Sequence, residues 1–339
     1  MAPRLSDIAT KVGVSEATVS RVLNNKSGVS TMTREAVLSA VDVLGYARPA
    51  QLRTERVRLV GLVLPELQSP IFPAFAEVVA HALAQQGFTP VLCTRTQGGI
   101  TEAEYVDLLI AQQVSGVVFA GGLYAQADAN HDHYARLAER NLPVVLVNAA
   151  VDSLQFATVA CDDSSAAEQA LNHLVSLGHT RIGMVLGPRD HVPSQRKLSA
   201  AKRMASAGRV LLTDDSIARA DFTIESGQAA AAKLLRRGVT GVICASDPLA
   251  LGVIQAARKA GLSVPADVSV VGYDDSRFMR YTDPALTTLR QPIEAMGRAV
   301  VEHLVAQIIG SSDAGDRLLF EPELIVRAST GRAPTPASR

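Results

Sequence analysis

The chain is poor in cysteine, and Cys93, Cys161 and Cys244 sit far apart in apolar runs. An odd number of thiols at such spacing excludes a disulfide framework or a metal knuckle and points to a reducing compartment. No apolar run approaches the roughly 20 residues that cross a bilayer, so no membrane partner is expected. No secretion signal precedes the first helical pattern, which makes a cytoplasmic protein the expectation. Catalytic signatures are equally scarce: the sequence has no dinucleotide glycine fingerprint, phosphate loop, nucleophile elbow or zinc-type His/Glu motif. The seven histidines are scattered, and His131 and His133 flank Asp132 in what reads as a polar loop. Neither an enzyme, a metal site nor a cofactor is expected. Helix and loop lengths vary too much for a solenoid. The tail at 331–339, GRAPTPASR, lacks apolar heptads and reads as disordered, which argues against a helical tetramerisation segment.

What is present suggests a multidomain globular protein. A length of 339 residues with 47% hydrophobic content exceeds one ordinary core and implies two or three domains. Net charge is zero, yet it is unevenly placed: up to Arg58 there are nine basic residues against five acidic ones. A basic module on a mildly acidic body suits a protein that meets phosphate at one end.

That basic end has a definite pattern. Leu5, Ile8, Ala9 and Val12 share one side of a first helix, Gly13 makes a turn, and a second helix ends near Asn24. Val19, Val22 and Leu23 face inward from it, while Glu16, Ala17, Ser20, Arg21 and Asn24 fan across the other side. After Gly28, Val37, Ala40, Val41 and Leu44 give a third helix its apolar stripe. Two short helices joined by a tight turn match a helix-turn-helix, whose second helix enters a major groove. In such a groove Arg21 donates to guanine, Glu16 accepts from cytosine, and the Ala17 methyl packs on thymine. Ser6, Ser15, Thr18, Ser20 and Thr33 are the candidates for phosphate oxygens. Periodicity and charge alone favour a plain helical subdomain with a solvated face.

From Val57 onward short apolar runs alternate with helical segments, the signature of parallel sheets built from βαβ units. The strands expected are 59–64, 90–93, 116–120, 144–147, 158–161, 182–186, 241–245 and 268–273. The helices expected are 72–86, 102–113, 134–140, 164–177, 225–237, 248–260 and 293–308. These are too many for one modest sheet, so two lobes are expected. Ligands in such sheets sit beyond the carboxyl ends of the strands. There the sequence places Gly121 and Gly122, Asn148, Asp162 and Asp163, Gly187 with Ser194–Lys197, Ser246 and Asp247, and Asp274 and Asp275. Carboxylates, an amide and cations in one cleft, with Phe72 and Phe222 as walls, suit a hydroxyl-rich small ligand.

The run VSEATVSRVLNN, followed by VS, TRE and LGY, resembles the helix-turn-helix of the LacI/GalR transcription regulators. GHTRIG, CASDPLALG, SVPADVSVVGYDD, LTTLRQP, MGRAVVEHL and ELIVRAST resemble the effector-binding core of the same family. The resemblance covers nearly the whole chain. It implies an all-α helix-turn-helix head (3–46), a hinge (47–57) and an α/β core similar to periplasmic sugar-binding proteins (58–330). Two doubly wound parallel-sheet lobes with three crossovers are expected in that core. It implies base reading by the first, second and sixth residues of the recognition helix, here Glu16, Ala17 and Arg21, with Asn24 beside them.

It further implies a homodimer on a pseudo-palindromic double-stranded operator. A small-molecule effector, with a carbohydrate favoured, would control repression. A nucleobase-type corepressor and a solute-binding protein are the alternatives. The implied effector contacts are Phe72, Asn148, Ser194, Phe222, Asp247, Asp274 and Gln291, with either Arg196 or Lys197. Arg196 is preferred for its bidentate reach. The hinge departs from the family pattern by about three residues, most of one helical turn. Two readings stay open there: Leu52 as a minor-groove wedge with Arg53 on phosphate, or a basic tether.

Overall fold

The computed structural model describes residues 5–24, 26, 28–43, 58–95, 98–148, 150–310 and 316–335. It divides into two compact units, one up to Arg58 and one from Leu59 onward. The hinge, with Leu52 and Arg53, lies outside the described residues.

The first unit holds α1 (Leu5–Val12), α2 (Glu16–Leu23) and α3 (Thr31–Val43). Gly13 turns the chain between the first two at a φ of +74°, a left-handed conformation that glycine adopts without strain. The Ser15 hydroxyl caps α2 by accepting from the Thr18 amide at 3.2 Å. Ile8, Val19, Val22, Val37 and Val41 are fully buried and form one small core. The expected inward residues Ile8, Ala9, Val19, Val22, Leu23, Val37, Ala40 and Val41 are buried, Leu5 and Val12 are half-buried against them, and Leu44 lies outside the described residues.

The second unit contains two six-stranded sheets. The first takes β1 (Arg58–Leu64), β2 (Phe88–Thr94), β3 (Gly116–Phe119), β4 (Val144–Val147) and β5 (Ala157–Cys161). The second takes β6 (Ile182–Leu186), β7 (Ile217–Arg219), β8 (Gly241–Cys244), β9 (Ser269–Asp274) and β10 (Thr287–Arg290). The chain then returns to the first sheet as β11 (Arg317–Phe320) and ends in the second as β12 (Glu323–Ile325). The strand orders are β11-β5-β4-β3-β1-β2 and β12-β10-β9-β8-β6-β7. The chain thus passes three times between sheets.

Helices cover both faces of each sheet, which is why β1 reads as an unbroken apolar run. Val60, Leu62 and Leu64 point to one core and Val63 to another. The helices are α4 (Ile71–Gln85), α5 (Glu102–Ala111), α6 (Asp132–Glu139), α7 (Asp163–Ser176), α8 (Val192–Ser206), α9 (Ile224–Arg236), α10 (Asp247–Lys259) and α11 (Ile293–Ile308). Although α11 follows β10, its Met296, Val300 and Leu304 bury against the first sheet. It therefore belongs structurally to the first lobe.

The two parallel-dominated lobes are the expected ones, with β12 running antiparallel to β10 at the end of the second sheet, Leu289 opposite Leu324. Two other expectations need correction. The stretch 192–206, read only as a polar cluster at a strand end, is a four-turn helix begun by Pro193 in its first turn. His133 lies on α6 rather than in a loop, buried with its Nε2 2.9 Å from Glu102.

Candidate functional site: a recognition helix and an inter-lobe cleft

In the first unit, Glu16, Ala17, Arg21 and Asn24 are all exposed on α2, opposite buried Val19, Val22 and Leu23. Ser20 is half-buried between them, and its carbonyl accepts from the Asn24 amide nitrogen at 2.8 Å. Ser15 and Thr18 hydroxyls lie 2.9 Å apart at the helix start, and Thr33 pairs likewise with Ser30 at 2.8 Å. Ser6 is half-buried on α1. The polar arc is thus intact, and the hydroxyls of Ser6, Ser15, Thr18 and Thr33 sit at helix N-termini where backbone amides also face outward.

In the second unit a cleft of about 370 Å³ opens between the lobes, at the carboxyl ends of the strands. Of the residues expected to meet an effector, Phe72, Asn148, Ser194, Lys197, Phe222, Asp274 and Gln291 line it. The chain reaches this cleft through turns at positive φ. Asn148 follows β4 at +68°, and Asp274 ends β9 at +118°. Such conformations cost about 1–3 kcal/mol each and cluster where a side chain must be aimed.

Asp274 is aimed at Gln291, whose Nε2 donates to its Oδ1 at 2.7 Å. Phe222 packs directly over Gly187, where a Cβ would lie 2.3 Å from its ring, and edge-on to His191 with ring centroids 4.9 Å apart. The Ser194 hydroxyl accepts from the Gly187 amide at 3.1 Å and lies 3.0 Å from His191 Nδ1. These contacts fix one wall of the cleft.

Two expected contacts fall elsewhere. Arg196 does not line the cleft; Lys197 does. The reason is helical phase: at about 100° per residue, His191, Ser194 and Lys197 point one way and Arg196 is turned aside. Lys197 is buried, pairs with Asp163 and stands 3.9 Å from the centroid of the Tyr273 ring. Asp247 also lies off the cleft wall, completely buried. It accepts from the Ser276 amide at 2.7 Å and the Thr288 hydroxyl at 2.6 Å, tying α10 to the β9 and β10 ends.

His191 and Tyr273 also line the cleft and were not singled out from sequence. Without α8 recognised, nothing marked His191 as facing the same way as Lys197. Behind Gly122, on the opposite wall, Glu102 accepts from the Tyr134 hydroxyl and, at 3.3 Å, from the Leu123 amide. This buried network supports the glycine turn, and no local sequence signal joins its members. Among the described residues no His/Cys/Asp/Glu group is arranged to hold a metal ion, and no helix is long and apolar enough to cross a membrane.

Comparison with known proteins bears directly on this pair of sites. Residues 4–49 match the family described as bacterial regulatory proteins, lacI family, and residues 171–330 match a periplasmic binding protein-like domain. The HTH-type transcriptional regulator reg1 of Streptomyces lividans is 50% identical, with 98% of each chain covered. The chain belongs to the LacI family.

Two solved structures are similar to this LacI-family protein along its whole length. A transcriptional regulator CelR–cellobiose complex superposes with a TM-score of 0.73 at 33% identity, covering 96% of this chain and 99% of the other. A Lac repressor dimer bound to operator and the anti-inducer ONPF gives 0.73 at 28%, covering 98% and 100%. This LacI-family chain is a DNA-binding transcriptional regulator under small-molecule control.

The electrostatics of the regulator's cleft follow from burial. Burial, with help from the Lys197 and Arg219 charges, holds His191 down to about 3, so its ring is neutral near pH 7. Burial also pushes Asp247 up to about 7, opposed by its hydrogen bonds from Thr288 and Ser276. Asp274 is pushed well above the usual carboxylate range by burial and by Asp247. Two neighbouring buried carboxylates cannot both ionise cheaply, so the pair retains a proton.

Because Asp247 titrates higher when folded, the folded state binds more protons at this group than the unfolded chain does between about pH 4 and pH 7. Its stabilising contribution is complete below pH 4 and is lost as pH rises through 7. Asp247→Asn should therefore lower absolute stability, since one acceptor is lost, and flatten the decline between pH 5 and pH 8. Urea unfolding of the core at both pH values checks this; an unchanged slope in the variant contradicts it.

Proposed function

We propose that this regulator is a repressor whose grip on a pseudo-palindromic operator is set by a carbohydrate held between the core lobes. The observation that carries the ligand class is the composition of the cleft. Phe72 and Phe222 come from opposite lobes, and Asn148, Asp274 and Gln291 present amide and carboxyl groups around them. Aromatic faces for the apolar side of a pyranose, with directional groups for its hydroxyls, are the chemistry of sugar recognition. The volume of about 370 Å³ is near the small end of the roughly 300–1,000 Å³ range for small-molecule sites. A mono- or disaccharide fits that size. The complex of the similar CelR with cellobiose supports the same class.

Glu16, Ala17 and Arg21 are proposed to read bases with Asn24 beside them, and Ser6, Ser15, Thr18, Ser20 and Thr33 to place the helix on phosphates. Ligand and operator affinities must then be linked reciprocally. The experiment is to select an operator from a random pseudo-palindromic library and titrate mono- and disaccharides against the bound full-length protein. One sugar is expected to shift operator affinity, and Asn148→Ala should weaken that sugar about tenfold while sparing operator binding without sugar. Arg21→Ala should cost roughly 1–3 kcal/mol of operator discrimination. A sugar that binds the cleft yet leaves operator affinity unchanged would falsify the coupling.

The regulator is proposed to act as a homodimer, the form in which the similar Lac repressor is bound to its operator. Phe278 and Tyr281, 61% and 77% exposed on the second lobe, offer apolar surface to a second copy. Changing both to Glu should shift the sedimenting species from dimer to monomer; a dimer that persists unchanged removes these residues from the interface.

A further inference from the structure

The helical phase that turns Arg196 away from the sugar cleft brings it to a second space between the same lobes. This groove, of about 400 Å³, is lined from the second lobe by Ser164, Gln195, Arg196, Ser199 and Arg203. Ala127, Ala150, Val151 and Asp152 wall it from the first lobe. Arg196, Ser199 and Arg203 lie at i, i+3 and i+7 on α8 and so share one face of that helix. His191, Ser194 and Lys197 occupy the neighbouring face towards the cleft. One helix therefore separates two spaces of different character.

The groove is cationic and incompletely partnered. Arg196 is half-buried and has no hydrogen-bond or ion-pair partner among the described residues. Its charge is felt by Asp163, but that carboxylate is already bonded to Lys197. Arg203 has a long 3.4 Å contact with Glu168, both side chains being largely exposed. The Asp152 carboxylate, at the first-lobe rim, is 3.3 Å from Arg317 and fully open to water. Two guanidinium forks with a hydroxyl between them along one helix face line the groove and supply donors of the kind that pair with the terminal oxygens of a phosphate.

We propose that this groove binds a phosphate-bearing small molecule. Its phosphate lies between Arg196 and Arg203 with Ser199 beneath, and its hydroxylated body lies towards Asp152, Ala150 and Val151. An occupant would touch both lobes beside the point where the Ala127 amide donates to the Asp190 carbonyl at 2.9 Å. It would thus add to the contacts that hold the lobes together, separately from any sugar.

Calorimetric titration of the full-length protein with glycerol 3-phosphate, and with glycerol alone, tests the site. The phosphate ester is expected to bind saturably and glycerol not to bind. Arg196→Gln should weaken binding about tenfold, and Arg196→Gln with Arg203→Gln more strongly. Asn148→Ala, in the sugar cleft, should leave it unchanged. Absence of saturable binding, or equal binding by the double variant, overturns the proposal. Loss in Asn148→Ala with retention in the arginine variants overturns it too, by placing the anion in the cleft. None of these readings depends on operator binding, so failure here leaves the sugar-controlled repressor standing.

Discussion

The Lys197 ammonium meets the Asp163 carboxylate inside the protein, with side chains only 6% and 5% exposed. Moving either charge out of water alone costs several kcal/mol, so each requires the other and neither can turn to solvent. The pair therefore sets the rotation of α8 against the start of α7. Once that rotation is set, Ser194 and His191 face the cleft with Lys197, Phe222 is held between His191 and Gly187, and Arg196 faces the other groove. Tyr273 completes the arrangement by presenting its ring to the ammonium 3.9 Å from the centroid. The composition of both inter-lobe spaces follows from one buried ion pair.

The opposite wall is positioned by different means. Glu102, His133, Tyr134 and Tyr124 form a buried network behind Gly122, and the Tyr124 amide donates to the Tyr134 hydroxyl at 2.9 Å. Strand ends on both sides of the cleft leave their sheets through backbone at positive φ, at Asn148 and at Asp274 and Asp275. Asp274 turns to Gln291 in the cleft, whereas Asp275 receives Arg290 Nε at 2.8 Å and the Arg327 guanidinium at 2.6 Å. Consecutive carboxylates thus join the ligand wall to the segments around β10 and β12. A ligand that reorients Asp274 would act next to β10 and β12, whose ends lead into the segments that cross between lobes, which gives regulation a physical route.

Much of this was readable from the residues. The head was legible because Val19, Val22 and Leu23 and the polar arc of Glu16, Ala17 and Arg21 obey one helical period. The wholly apolar strand 144–147, the strand 182–186 and the helix 293–308 match their expected limits. Ile217–Arg219, Thr287–Arg290 and Arg317–Phe320 are too short, too polar or too exposed to stand out in the sequence, and it is their backbone pairing that makes them strands. Helix α8 was missed for a related reason: its inward face carries Ser194 and Lys197 in place of leucines. The phase of this helix, invisible without those leucines, is what turns Lys197 rather than Arg196 to the cleft. The long-range partners of Asp247 and Glu102, 41 and 32 residues distant at Thr288 and Tyr134, carry no local signal at all.

The claim most exposed to test is that the Lys197–Asp163 pair organises the cleft. Unfolding free energies of the core should be measured for Lys197→Met and for Lys197→Met combined with Asp163→Leu. The single variant leaves a buried carboxylate unpaired and should lose about 3–5 kcal/mol, while the double variant recovers most of that loss. If the single variant stays within about 1 kcal/mol of the parent, or if the double variant falls as far as the single, the ion pair does not set the geometry of α8 and the account of both inter-lobe spaces fails.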